Sequence, residues 1–314
     1  MRDEPKPLVF VDTTIFLDAY SAQNEVTYEL LKNLSKHQEN LILTEQVLME
    51  FLKNRQRLIC NEKLFKRDTT KLSYPAFLQT KLLDEINNDL VNIGNKLETL
   101  DKLREDMLQN PEAHDNIYNL IYRLFEKNNK NYLEIKSDNY KTIYDSATLR
   151  FKIGAPPRKS NDTALGDAIN WEWVLACAES SRRNIVIVSR DTDYGHQYSA
   201  KKPVLNDYLQ YEFRKRTSSG QKILLKTRLS DALEILGDPI TEEQKEKESE
   251  NIKLANSVEM SDFSSAAKKL KDVLIDLEKS EEFKKLRTQF ELMGTIIEEN
   301  FKSQNPLVRF REKI

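Results

Sequence analysis

Cysteine, glycine, histidine and tryptophan are scarce in this 314-residue chain, with two, seven, three and two copies. Cys60 and Cys177 stand far apart, each in an apolar helical context. Buried free thiols are expected from this rather than a disulfide or a zinc site, and with them a cytoplasmic home. His37, His114 and His196 show no ligand spacing, although His196 lies close to Asp193. With so few glycines there is no Gly-rich phosphate loop, which argues against nucleotide-hydrolysing and dinucleotide-binding folds. No Ser-centred elbow appears either. No apolar run approaches the roughly 18 residues of a membrane helix, so no membrane partner is expected. The first strand begins almost at Met1, which leaves no space for a signal peptide.

What is present is charge and helix-forming sequence. Charged residues make up 32% of the chain and apolar residues 39%, a balance that describes a folded protein with many solvated helical faces. The formal net charge of −2 is unevenly spread. Segments 53–81 and 200–228 each hold eight Lys/Arg against two acids, so local basic patches outweigh the sum.

Short apolar runs alternate with helical periodicity at both ends of the first 240 residues. LVFV (8–11) suits a buried parallel strand, followed by helices over about 13–20 and 25–36. LIL (41–43) is a second strand, after which Thr44 stands as an N-cap to a helix carrying Val47, Leu48, Phe51 and Leu52. From Pro75 to about Gly154 the sequence reads as almost wholly helical, with breaks at Pro111 and 136–139. Leu82, Leu83, Ile86, Leu90, Ile93, Leu97, Leu100 and Leu103 recur at the spacing of an antiparallel helical pair. The strand pattern resumes with a helix over 165–179, NIVIV (184–188), a helix around 205–216, KILL (222–225) and a short helix over 229–236. Gly237-Asp238-Pro239 is a stop signal, and a charged stretch then leads to a C-terminal helical appendix. The expected division is core 1–62, helical insertion 63–154, core 155–237 and a C-terminal helical region 238–314. In that last region Phe283, Leu286, Phe290, Met293, Ile297 and Phe301 form a stripe that packs on the body or serves a second copy or a regulatory partner.

Four carboxylates fall where such a fold would gather them: Asp12 after LVFV, Glu50 in TEQVLMEF, Asp167 in LGDAINW and Asp193 in IVIVSRDTDYG. An open α/β sheet brings residues at the carboxyl ends of its strands into one crevice. Converging carboxylates suit a hard divalent cation such as Mg²⁺ or Mn²⁺. Each acid also has an ordinary reading. Asp12 could cap the following helix, Glu50 could be a solvated helix charge with Glu45 as its competitor, and either Asp191 or Asp193 could form a turn. Asp167, between Gly166 and Ala168 and beside Trp171, is poorly explained as surface.

The order β-Asp-Thr-Thr, helical Glu, Gly-Asp-Ala on a helix and IVIVSRDTDYG resembles the PIN-domain nucleases over roughly 1–60 and 155–236. The stretch APPRKSNDTALGDAINW is similar to a PIN-like subgroup with a long helical insertion. The resemblance implies an α/β fold, a PIN-like parallel sheet flanked by helices, with a large all-helical insertion and a C-terminal helical appendix. It implies metal-dependent cleavage of nucleic acid, RNA favoured over DNA, with Mg²⁺ or Mn²⁺ held by Asp12, Glu50, Asp167 and Asp193. Asp191 takes an outer or second-ion position, and Thr13 or Thr14 the small hydroxyl position after the first Asp. Arg158, Lys159 and Arg190 lie beside these acids and either hold the scissile phosphate or only balance charge. Lys53, Arg55, Arg57, Lys63, Lys66 and Arg67, just past Glu50, either guide a nucleic-acid backbone or form a solvated face. Small relatives in the family are growth-arresting toxins, which extends the expectation to a toxin or defence effector. The rival expectation is a catalytically silent PIN-like scaffold acting through its insertion and tail.

Overall fold

The computed structural model describes residues 5–60, 81–126, 129–158, 165–199, 202–253 and 255. The first strand, β1 (Leu8–Val11), is LVFV with all four side chains buried, as its unbroken apolar run requires. Helices α1 (Thr13–Ser21) and α2 (Val26–Leu34) follow, then a 3₁₀ segment (Ser35–Asn40) and β2 (Leu41–Thr44). Thr44 does cap the next helix, α3 (Glu45–Ile59): its hydroxyl accepts the Val47 N–H at 3.1 Å.

The middle of the chain holds α4 (Lys81–Gln109), α5 (Pro111–His114), α6 (Asn116–Glu126), β3 (Tyr132–Leu133) and α7 (Tyr140–Ile153). Two expectations change here. The leucine-rich periodicity of 82–103 belongs to one unbroken 29-residue helix, about 43 Å long at 1.5 Å per residue, and not to an antiparallel pair. No proline interrupts this run, and none of its residues is buried. Second, the stretch read as wholly helical supplies β3, which pairs in parallel with β2 through Leu43↔Tyr132 and Thr44↔Leu133. Ile121, Leu124 and Phe125 of α6 join the same core.

The second half adds α8 (Gly166–Ser181), β4 (Ile185–Val188), β5 (Gly195–Ser199), β6 (Lys202–Leu205), α9 (Asp207–Arg216), β7 (Ile223–Lys226) and α10 (Leu229–Ile235). The five-stranded sheet runs β3-β2-β1-β4-β7, every pairing parallel, while β5 and β6 form a separate antiparallel hairpin. β1 and β4 are in register from Leu8↔Ile185 to Val11↔Val188, so the chain leaves both strands at the same sheet edge. α8 is buried on nearly every face, consistent with its apolar composition all round, and packs on β2, α3, α7 and α9.

Charged networks brace these helices. Arg150 of α7 donates to Glu172 of α8 at 2.6 and 2.8 Å and pairs with Glu212 of α9; Arg216 closes the set onto Glu172 and Glu179 at 2.6 Å. Trp171 Nε1 donates to Glu212 at 2.8 Å and Trp173 Nε1 to the Asn131 carbonyl at 2.8 Å, which accounts for both indoles as packing residues. The charged stretch after Asp238 is helical over 242–253 and belongs to the body: Glu248 accepts the Leu229 N–H at 2.6 Å, and buried Asn251 bonds Asn24 and Thr27 at 3.0 Å. The described residues all fall within one compact unit, 1–255. The C-terminal stripe of Phe283 to Phe301 lies outside the described residues. Cys177 is buried as expected, but Cys60 is exposed, since it follows the last turn of α3 as its C-cap.

Candidate metal and active site

The carboxyl edge of the sheet carries the acids. Asp12 leaves β1, Ser189 leaves β4, and α3 starts where β2 ends. The extended backbone of Asp12 is that of an N-cap to α1, yet its side chain makes no capping bond. Instead Asp12 Oδ2 accepts Ser189 Oγ–H at 2.7 Å and Thr14 Oγ1–H at 3.2 Å. Ser189 also accepts the Asp191 N–H at 3.0 Å, and Asp191 Oδ1 accepts the Asp193 N–H at 3.0 Å. One chain of bonds therefore fixes Asp12 and the loop after β4 as a unit, with Asp191 serving as the turn former.

Asp167, Asp191 and Asp193 can each bring a carboxylate oxygen within 4.8 Å of the other two. Asp12 is 7% exposed. Burial pushes its carboxyl above the usual range, the Ser189 bond pulls it down, and the neighbouring charges of Asp191 and Glu50 push it up again. Glu50 thus faces this group of acids. Its oxygens accept Thr13 Oγ1–H at 2.9 Å and Gln46 Nε2–H at 2.6 Å. Glu45 turns the other way and accepts the Ile135 N–H at 2.7 Å.

Local sequence explains how α3 and α8 come close enough. A Cβ at Gly166 would lie 2.6 Å from Glu50 Oε1 and 2.7 Å from Gln46 Nε2, so the glycine permits the first turn of α8 to pass Glu50. Thr44 Oγ1 donates to Asn170 Oδ1 at 2.6 Å, tying the carboxyl end of β2 to the second turn of α8. At Gly195 a side chain would collide with the Val204 carbonyl, so the β5–β6 hairpin can start directly after Tyr194.

The residues expected to hold substrate are placed differently. Thr13 and Thr14 give their hydroxyls to Glu50 and Asp12, so both orient carboxylates. Arg190 donates to Asp18 at 2.6 Å, and Arg158 stacks over Phe151 at 4.2 Å while donating to its carbonyl at 3.0 Å. Lys159, Lys63, Lys66 and Arg67 lie outside the described residues. Arg55 is buried against Asp115 at 2.7 Å and cannot meet a nucleic-acid backbone. Sequence reading passed over Ser189 and Tyr194, whose signal was their place on either side of Asp191 and Asp193. It placed the helix that became α9 but passed over its tyrosines: exposed Tyr208 and Tyr211 stand 6.3 Å apart with Lys215 4.9 Å from the Tyr211 ring. The start of α9 adjoins the acidic loop, because the Asn206 N–H donates to the Tyr194 carbonyl at 2.9 Å.

Among the described residues the donor set consists of carboxylate oxygens with hydroxyls behind them, with no thiolate or imidazole in the group, which fits a hard divalent cation. No helix among the described residues is long and apolar enough to cross a membrane. Comparison with curated proteins and with solved structures returned no match. The sequence profile of the PIN domain matches residues 9–194, which spans β1 through Tyr194 and takes in all five acids. By its sheet, its matched length and its acidic edge, the chain belongs to the PIN domain family, a family of nucleases.

Proposed function

We propose that the chain is a metal-dependent endonuclease that hydrolyses phosphodiester bonds, with RNA favoured over DNA. The observation that carries this reading is the approach of Asp167, Asp191 and Asp193 to within 4.8 Å, with buried Asp12 and half-buried Glu50 in the same field. Asp12, Asp167 and Asp193 would hold the cation, with Asp191 and Glu50 as its further ligands or as acceptors of protons from the attacking water. A bound Mg²⁺ or Mn²⁺ supplies charge neutralisation at the phosphate and lowers the pKa of a water molecule. The chain's own residues do the rest. Thr13 and Gln46 orient Glu50, while Ser189 and Thr14 hold Asp12 in one rotamer. The Arg150 network ties α8, which carries Asp167, to α7 and α9.

The exposed Tyr208–Tyr211 pair and Lys215 support a single-stranded substrate, since bases stack on aromatic faces while cations track the backbone. The decisive experiment incubates the purified full chain with labelled single-stranded RNA and DNA, with Mn²⁺ or with chelator. Cleavage that requires Mn²⁺ and disappears in Asp12→Asn is expected; cleavage that persists in chelator, or in Asp12→Asn, would overturn the reading. A role as a toxin or defence effector is part of the proposal. Expression in a bacterial host should arrest growth for the unaltered chain and not for Asp12→Asn.

A further inference from the structure

Tyr194 follows Asp193 directly and precedes β5. Its ring packs beside Phe10 of β1, with centroids 6.1 Å apart. Its backbone is pinned at both ends: the N–H donates to the Asp191 carbonyl at 3.2 Å and the carbonyl accepts from Asn206 at 2.9 Å. The side chain is wholly shielded from solvent, at 0% exposure, yet its hydroxyl has no hydrogen-bond partner among the described residues. Buried phenols nearly always find one, because an unmet donor loses the bonds it made to water. Phenylalanine would fill the same space without that cost.

The surroundings supply a reason for the hydroxyl. Asp193 is the chain neighbour of Tyr194, whose N–H is bonded to the Asp191 carbonyl, and Asp167, Asp12, Asp191 and Glu50 lie near enough for their charges to act on it. A neutral O–H among four carboxylates, bonded to none of them, is a donor whose acceptor is not yet in position. Metal-ligating carboxylates depend on such outer bonds, which fix the oxygen that faces away from the ion.

We propose that Tyr194 is a positioning residue of the acidic cup, whose hydroxyl donates to an oxygen of a ligating carboxylate once a divalent cation has drawn the acids together. This rests on the metal-dependent reading above. The test compares the full chain with Tyr194→Phe and Asp12→Asn, using Mn²⁺ titration calorimetry and metal-free thermal unfolding. Tyr194→Phe should leave the metal-free melting temperature unchanged or higher and weaken the Mn²⁺ dissociation constant by about 10–100-fold. If Tyr194→Phe binds Mn²⁺ within twofold of the unaltered chain while Asp12→Asn does not bind, this inference fails and the metal reading stands. If the unaltered chain binds no Mn²⁺, both fall. A metal-free melting temperature lowered by several degrees in Tyr194→Phe also overturns the inference, because the hydroxyl would then already be bonded without the ion.

Discussion

Replacing Asp12 by asparagine removes one charge from the acidic cup and little else. The amide oxygen can still accept from Ser189 Oγ, so the bond chain into the loop after β4 survives. The folded-state pKa of Asp12 lies above its unfolded value of 3.8, chiefly through burial. A raised carboxyl contributes stability that is complete below the unfolded pKa and is lost as pH rises through the folded one. At pH values above the folded one the metal-free chain bears the cost of this charge, and Asp12→Asn relieves it. Repulsion within the trio is sizeable as well. For oxygens 4.8 Å apart, each pair of charges taken alone costs about 0.9 kcal/mol at the dielectric of water and about 3.5 kcal/mol at an effective value of 20. A cation that offsets this and is present at a hundred times its dissociation constant adds about 2.7 kcal/mol. For a body of this size that raises the melting temperature by about 5–11 °C. Thermal scans at pH 7.5 with and without Mn²⁺ should show that rise in the unaltered chain. In Asp12→Asn the metal-free value should be equal or higher and the Mn²⁺ shift less than half as large. A variant that melts lower without metal yet keeps the whole shift would refute the reasoning, because Asp12 would then be a structural acceptor only.

Four further outcomes are expected. Gly166→Ala forces Glu50 and Gln46 aside and should weaken Mn²⁺ binding about tenfold by calorimetry while costing about 1 kcal/mol or less of stability in urea. Arg150→Met leaves Glu172 and Glu212 without their buried cation and should cost about 3–5 kcal/mol in the same assay; a loss under 1 kcal/mol would contradict the bracing role given to this network. Burial raises the Glu248 carboxyl, so its stabilising share is present below pH 4.5 and fades as pH rises through the folded pKa. Urea titrations across that window should show Glu248→Gln losing less stability with rising pH than the unaltered chain, by at most about 1.4 kcal/mol per pH unit. With cleavage disabled by Asp12→Asn, adding Tyr211→Ala should weaken binding of a labelled single-stranded RNA by about 1–3 kcal/mol, and equal binding would remove α9 from the substrate path.

The central strands were legible because each is a short, fully buried β-branched or leucine run: LVFV, LILT and IVIV lie within a residue of their expected bounds. Their shared carboxyl edge follows from parallel topology, which is why Asp12, Asp167 and Asp193 could be picked out by position. The β5–β6 hairpin was not legible, since GHQYS and KPVL are polar, the second strand contains a proline, and His196 and Gln197 are exposed. Strand β3 is two residues long, and nothing in Tyr132-Leu133 separates it from the helical sequence around it. The helix over 242–253 reads as a solvated linker by composition, yet it packs through two polar residues, Glu248 and Asn251, which no hydropathy pattern flags. Glu45 and Glu50 are alike as letters; only the packing of α3 against α8 decides between them.

Pairing β1 with β4 also sets a schedule for synthesis. The bond from Ser189 to Asp12 joins residues 177 positions apart, and β7 beyond them must emerge before β4 gains its second neighbour. A ribosome adding about 5–20 residues per second needs roughly 10–35 s to cover that interval. Throughout it Asp12 lacks its Ser189 donor and the loop carrying Asp191 and Asp193, so no truncated product ending before Ser189 can assemble the cup. The acidic cup is completed only when Ser189, Asp191 and Asp193 have followed Asp12 out of the ribosome.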